Sequence, residues 1–275
     1  MAASHPIPLT QSLLGGLTSL LQMRTLLFDL AMRDFKSRYL GSSLGLLWAF
    51  IHPTCTILIM WFVFEQGFRS QPVEKVPFIL WMMTGLIPWF YFSECWGSAT
   101  NVIIEHAYLV RKVRFRVGIL PLVKIISALI IHLFFVGLTM LMFTLYGYRP
   151  TWCYLQVIYY TFACSVLLLG LSWLTSSLVV FLRDLGQIVA MCLQFGFWLT
   201  PIFWSVNMLP PRYLWVAQIN PMYYIVRGYR DTFITGTPFW EHGSQTIYFW
   251  CLTTAILLIG AQVFRRLRPH FADVV

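Results

Sequence analysis

The sequence predicts an all-α integral membrane protein with six transmembrane helices, and three observations carry that expectation. Of its 275 residues, 59% are hydrophobic and only 11% charged, whereas soluble domains are roughly 45–50% apolar and about 25% charged. Six apolar runs reach the roughly 20 residues needed to cross a bilayer. Basic residues divide unequally between alternate loops, as they do in membrane proteins of fixed orientation. The mean hydropathy of +0.72 agrees. This composition excludes a soluble globular enzyme and a disordered chain, because there are too few charges to cover a soluble surface. Six spans with short loops use up the length, leaving no room for a separate soluble domain.

The elements follow in chain order. Residues 1–43 read as a cytoplasmic N-terminus. MAASHPIPLTQSLLGG lacks the basic start and long apolar core of a secretory signal, so insertion is expected through the first span. Over residues 20–39, Leu20, Met23, Leu27, Leu30, Ala31 and Phe35 recur at three- and four-residue spacing, with Arg24, Arg33, Asp34, Lys36 and Arg38 filling the rest. That pattern is an amphipathic helix lying in the membrane interface, either as a topology anchor or as a docking platform. The six spans run from about Leu44 to Phe64, Pro77 to Thr100, Gly118 to Tyr146, Cys153 to Leu182, Gly186 to Val206 and Thr246 to Phe264. The loop 101–117 is longer than a plain connection, and is expected to hold a short helix. It carries Glu105, His106, Arg111, Lys112, Arg114 and Arg116, which serve either as topology charge or as contacts to a soluble partner. Between the last two spans, Pro210, Pro211, Pro221 and Pro238 cut residues 207–240 into aromatic-rich pieces too short to span. Such pieces suit re-entrant or interfacial helices. Within them Arg227, Arg230 and Asp231 must avoid lipid, where a charge costs about 2.5–3.5 kcal/mol. Residues 266–275 form a short tail.

Six spans place both termini on one side. Of the 19 basic residues, only Arg69, Lys75, Arg149, Arg212, Arg227 and Arg230 fall on the opposite side. The rule that cytoplasmic loops collect Lys and Arg therefore sets both termini in the cytoplasm. The net charge of +9 follows from this topology and does not signal a nucleic-acid partner.

The chemistry that is missing is also informative. No GxxxxGK[ST] or HExxH is present, so the chain carries no ATPase loop and no zinc-protease metal set of that kind. The six cysteines form no CxxC pairs and read as small apolar fillers. Glu94, Lys124 and His132 are not spaced as a proton relay, and read as interfacial or hydrogen-bonded between helices. Aromatic residues, 17% of the chain, cluster around Trp48, Trp61, Trp89, Phe195, Phe197, Trp198, Phe203 and Trp204. Interfacial belts account for many of them. Those within the first and fifth spans also suit a surface along which a sugar polymer slides.

Seven segments in order carry a resemblance: RDFKSRYLGSSLGLLWAFIHP (33–53), GLIPWFYF (85–92), LVRKVRFRVGILPLV (109–123), FLRDLGQIV (181–189), WLTPIFW (198–204), MLPPRY (208–213) and INPMYYIVRGYRD (219–231). Together, over roughly residues 20–265, the chain resembles the permease subunit of type-2 ABC polysaccharide exporters, O-antigen exporters above all and teichoic acid exporters next. The resemblance implies one transmembrane domain over 44–265, with an N-terminal interfacial helix, a coupling helix in 101–117 and two re-entrant helices in 207–240. It implies a homodimer joined by two copies of a cytosolic ABC ATPase that binds ATP and Mg, in the bacterial inner membrane. The cargo is undecaprenyl-diphosphate-linked polysaccharide. Carried onto this sequence, Trp48, Trp61, Phe195, Trp198 and Trp204 line the channel. Arg33, Lys36, Arg38, Leu44 and Gly45 form the cytoplasmic mouth near the lipid diphosphate. Glu105, His106, Arg111, Lys112, Arg114 and Arg116 couple to the ATPase, while Asn220, Pro221, Arg227, Arg230 and Asp231 shape the outer gate. Competing expectations are an exporter of teichoic acid, capsular polysaccharide, a drug or a smaller lipid on the same fold, a membrane glycosyl- or acyltransferase using Glu94 or Asp184, and an ion-driven carrier. The last predicts an inverted repeat, and none is visible.

Overall fold

A computed structural model of the chain describes residues 24–38, 43–69, 76–110 and 116–274. Its regular elements are helical. The expected positions Leu20, Met23, Arg111, Lys112 and Arg114 lie outside the described residues.

Helix α1 spans Arg24–Ser37. It buries Leu27, Ala31 and Phe35, one stripe at four-residue spacing. Leu27 and Ala31 pack on Ile119 and Val123 at the start of the third long helix. After a left-handed Gly45, a single 3-10 turn leads into α2, Trp48–Trp61, which continues as a wider turn to Gly67. Helix α3, Phe78–Thr100, starts directly after Pro77, whose extended backbone ends the preceding segment. α3 is the centre of the structure. Most of it is buried, and it packs against α4 (Leu120–Leu145), α5 (Gln156–Val179), α6 (Leu185–Leu199) and α8 (Pro221–Arg230), with α2 on its flank. Pro121 sits in the first turn of α4, where its missing N–H costs nothing. α7, Leu214–Ile219, precedes α8, and α9 covers Gly243–Leu267.

Among the described residues, four segments are long and apolar enough to cross a membrane: Gly45–Gly67, Val117–Leu145, Trp152–Val179 and Phe239–His270. They coincide with the first, third, fourth and sixth expected spans. The second, α3, has 23 residues, about 34 Å at 1.5 Å per residue, but its Trp, Tyr, Pro and Gly content dilutes its hydropathy. The fifth expected run, 186–206, is helical only as the 15-residue α6. Pro201 forces Thr200 out of the helical region into extended backbone (φ −80°, ψ 132°), so the run breaks there.

Glycine permits a close crossing of α5 and α9. An added Cβ on Gly170 in α5 would lie 2.8 Å from the backbone of Leu257 in α9, and one on Gly260 would meet the Gly170 carbonyl. Small residues of this kind let membrane helices approach backbone to backbone. α8 runs on as a wider turn, Asp231–Thr235, after which Gly236 adopts φ +70° and donates its N–H to the Asp231 carbonyl at 2.8 Å, a left-handed helix stop that other residues enter at a cost.

Burial is uneven in a way that matters for function. Only 11% of the most apolar stretch of Gly45–Gly67 is buried, against 61% for Val117–Leu145. Along α2 and α6, Leu58, Ile59, Phe62, Met191, Phe195 and Trp198 are exposed. Both helices flank α3.

Candidate functional site

At the end of the bundle that carries α1, five charged residues meet. Asp34 is buried on the α1 face that packs against α4. Lys124, equally buried, donates to it at 2.8 Å and to Glu105 at 2.9 Å. Arg38 pairs with Asp34 at 3.1 Å, with Glu94 near the end of α3, and reaches Ser98 at 3.3 Å. Burial alone pushes the Asp34 carboxyl up, but the Lys124 hydrogen bond and the charges of Arg38 and Lys124 outweigh it and hold the group below its usual value. Glu105 ends the single helical turn Val102–Glu105, and a second turn, Ala107–Val110, leads into the basic loop. The side chains of Val102 and Ile103 are buried, seating that turn against the bundle.

Of the residues expected at this mouth, Arg33, Lys36 and Leu44 are exposed, and Arg38 is engaged with Asp34 and Glu94. Among the expected coupling residues, Glu105 is tied to Lys124, the His106 ring sits 3.0 Å from the Val102 carbonyl, and Arg116 is exposed.

A cavity of about 470 Å³ opens between α2, α3 and α4. Trp48, His52 and Phe90 line it together with Glu94, His132 and Phe135. His132 Nε2 is 2.8 Å from the Tyr229 hydroxyl and 3.3 Å from Thr161 Oγ1, and Tyr91 stacks on its ring at 4.6 Å. Tyr91 in turn reaches Ser165 at 2.8 Å. These bonds knit α3, α4, α5 and α8 at mid-helix, where an unpaired polar group is costly. His132, Lys124 and Glu94 are thus hydrogen-bonded between elements, as their sequence positions suggest.

At the opposite end, the residues expected to shape a gate come together. Asn220 caps α8, accepting from the Met222 N–H at 3.0 Å, and its amide donates to Thr200 at 2.8 Å. Arg227 donates to Gln245 at 3.0 Å and lies 3.8 Å from Asp231. His242 Nε2 lies 3.0 Å from the same carboxylate. Arg230, 8% exposed, donates to the carbonyls of Pro201 and Ile202 at 2.6 and 3.1 Å and lies 3.7 Å above the Trp81 ring. α8 is therefore pinned inside the bundle between α3 and α5, not laid over its surface. Trp81 and His242 were not expected from the sequence. Each completes the surroundings of a charge that was.

The aromatic candidates do not converge on one point within the chain. Trp48, Phe195 and Trp198 are exposed, Trp61 donates its indole N–H to Glu65, and Trp204 donates to the Trp198 carbonyl at 3.0 Å. The segments that follow α2 and α6 do meet. Phe64 stacks on Phe203 at 5.2 Å with the planes 4° apart, and Phe203 also contacts Phe197. Among the described residues no group of His, Cys, Asp and Glu is placed to hold a metal ion.

The profile of a family described as ABC-2 type transporter matches residues 25–234. An O-antigen export system permease protein RfbA of Klebsiella pneumoniae is 31% identical over 268 residues, covering 90% of this chain and 96% of that one. Its namesake in Myxococcus xanthus is 29% identical, covering 93% and 97%. The polysialic acid transport protein KpsM of Escherichia coli is 23% identical over 241 residues, covering 86% and 91%.

Proposed function

The chain is a multi-pass membrane protein of the ABC-2 type transporter family, and from that premise we propose that it is the channel-forming permease of an ATP-driven exporter of lipid-linked polysaccharide, with O-antigen on undecaprenyl diphosphate as its cargo. The observation that carries the proposal is the end-to-end similarity to O-antigen export permeases of two organisms. The more distant polysialic acid transport relative supports polysaccharide as the cargo class and keeps a capsular polymer as the second reading.

In this reading the chain crosses the inner membrane six times, with α3 and α6 completing the set and both termini in the cytoplasm. Residues 207–240 re-enter from the periplasmic side. Two copies bring the exposed faces of α2 and α6 together, which would cover apolar surface that one copy leaves open. Trp48, Trp61, Phe195, Trp198 and Trp204 then face the path. Flat rings offer weak contacts to pyranose faces, so a polymer is guided without being trapped. Arg33 and Lys36, exposed near the cytoplasmic surface, meet the diphosphate or the ATPase. Residues 101–117, from Glu105 to Arg116, dock in a cytosolic ATPase that binds ATP and Mg. Asn220, Pro221 and the Arg227–Asp231 cluster hold the outer gate. Closing the two ATPase subunits around ATP displaces the docked loops, opens the path, and lets the lipid flip and the glycan follow.

Cells depleted of the chain test this. Completed polymer is expected to disappear from the surface and accumulate, still lipid-linked, on the cytoplasmic face. Surface polymer that persists at its normal level would refute the proposal.

A further inference from the structure

Among the described basic residues, Lys124 stands apart. It lies 4% exposed within an apolar helix, yet bonds two carboxylates from two other elements. Asp34 belongs to α1 and is itself buried. Glu105 ends the single turn Val102–Glu105 and its side chain is about half exposed. A four-residue turn has no stiffness of its own, because helix formation becomes favourable only over several turns. What fixes this turn to the bundle is the burial of Val102 and Ile103 and the bond from Glu105 to Lys124. Arg38 extends the same cluster to α3 through Glu94 and Ser98. Burying a cation in an apolar segment is costly unless it is paired on several sides, so its position needs a reason beyond stability.

We infer that Lys124 is a positioning residue, an ionic strut that makes the Val102–Glu105 turn, α1 and α4 move as one body. The inference rests on the exporter reading, in which an ATPase pushes on this turn. With the strut in place, displacement of the turn passes into α4 and the interfacial helix. Without it, the turn flexes and the motion is absorbed locally. The two arms differ in kind. The Asp34 arm is buried and holds the fold, whereas the Glu105 arm is half-exposed and can be removed with little effect on folding.

The test uses the chain with its co-expressed ATPase, purified as a complex, and the same variants in cells lacking the chromosomal copy. E105Q removes the outer arm while keeping size and polarity, and E105D keeps the charge. ATP hydrolysis by the complex and polymer delivered to the surface are read in parallel, with the amount of folded complex measured for each variant. E105Q is expected to deliver about fivefold less polymer per ATP hydrolysed than wild type, the factor set by losing a half-exposed ion pair, with the yield of co-purifying ATPase read separately as the measure of docking. E105D is expected to recover most of the delivery. A purely structural role would lower both readouts in proportion to the folded complex. Wild-type delivery per ATP in E105Q, or proportional loss of both readouts, would overturn the strut. A wild-type preparation that contains no ATP-hydrolysing partner would instead overturn the exporter reading on which it rests.

Discussion

Replacing Arg230 tests whether the α8 segment is held inside the bundle by the contacts described. Its guanidinium donates to two carbonyls, those of Pro201 and Ile202, and covers the Trp81 ring. A hydrogen bond from a charged group contributes about 1.5–3 kcal/mol. Both bonds leave from one nitrogen, so we count about 2 kcal/mol for the pair. A desolvated cation–π contact adds about 2 kcal/mol. R230M keeps much of the apolar stem but leaves both carbonyls without this donor, for a loss of about 4 kcal/mol on these terms. At about 2–4 °C per kcal/mol for a chain of this size, the midpoint of thermal unfolding should fall by roughly 8–16 °C. R230K keeps the charge but loses the planar stack on Trp81, and is expected to fall about halfway between. The assay is thermal unfolding of the detergent-purified protein followed by tryptophan fluorescence. A midpoint for R230M within about 2 °C of wild type would show that the segment from Pro221 to Thr235 is held by something else.

Three further expectations use different parts of the structure. G170V places a branched side chain against the Leu257 backbone and should separate α9 from α5, destabilising by about 3 kcal/mol or more; unchanged unfolding would disprove the close crossing. D34N leaves Lys124 with Glu105 alone and should cost about 2–3 kcal/mol, somewhat less than breaking an isolated buried pair. Because the folded Asp34 carboxyl titrates below its unfolded value, its contribution is complete above about pH 4 and is lost as pH falls through the lower folded value. Stability should therefore be flat from neutral pH to about pH 5 in this respect, with an acid decline that D34N diminishes; an equal decline in D34N would argue against the pair. Alanine at Trp48, Trp61, Trp198 and Trp204 together should slow polymer delivery at least about thirtyfold in a folded protein, each ring supplying of order 0.5–1 kcal/mol; an unchanged rate would remove the aromatic path.

Much of the helical layout was legible because apolar runs and breaking residues act locally. Pro77 and Thr100 bound α3 where the sequence places them, and Gly118 and Tyr146 fall within a residue or two of the ends of the Val117–Leu145 helical segment. α1 announced its buried stripe through Leu27, Ala31 and Phe35. The exception, the early end of α6, was also encoded locally, in the Pro201 that excludes Thr200 from helix, but high apolarity on both sides masked it. Partners of charges were not legible, because pairing depends on the tertiary fold. Asp34 and Lys124 are 90 positions apart, and Arg230 finds Trp81 across the bundle. A charge within an apolar stripe, as at Asp34 and Lys124, signals that a partner exists without naming it. Which aromatic residues face a path was illegible for another reason. The faces of α2 and α6 are mostly apolar, so periodicity is a weak guide to which face meets lipid and which lies between two copies.

The central claim is that this chain works with an ATPase on a lipid-linked polymer. The most direct measurement is purification from native membranes in mild detergent, with ATP hydrolysis assayed on the eluate before and after adding lipid-linked polysaccharide extracted from the same cells. A stoichiometric ATP-binding partner whose hydrolysis changes with that addition is the predicted result. A chain recovered alone, without hydrolysis at any polymer concentration, would contradict it.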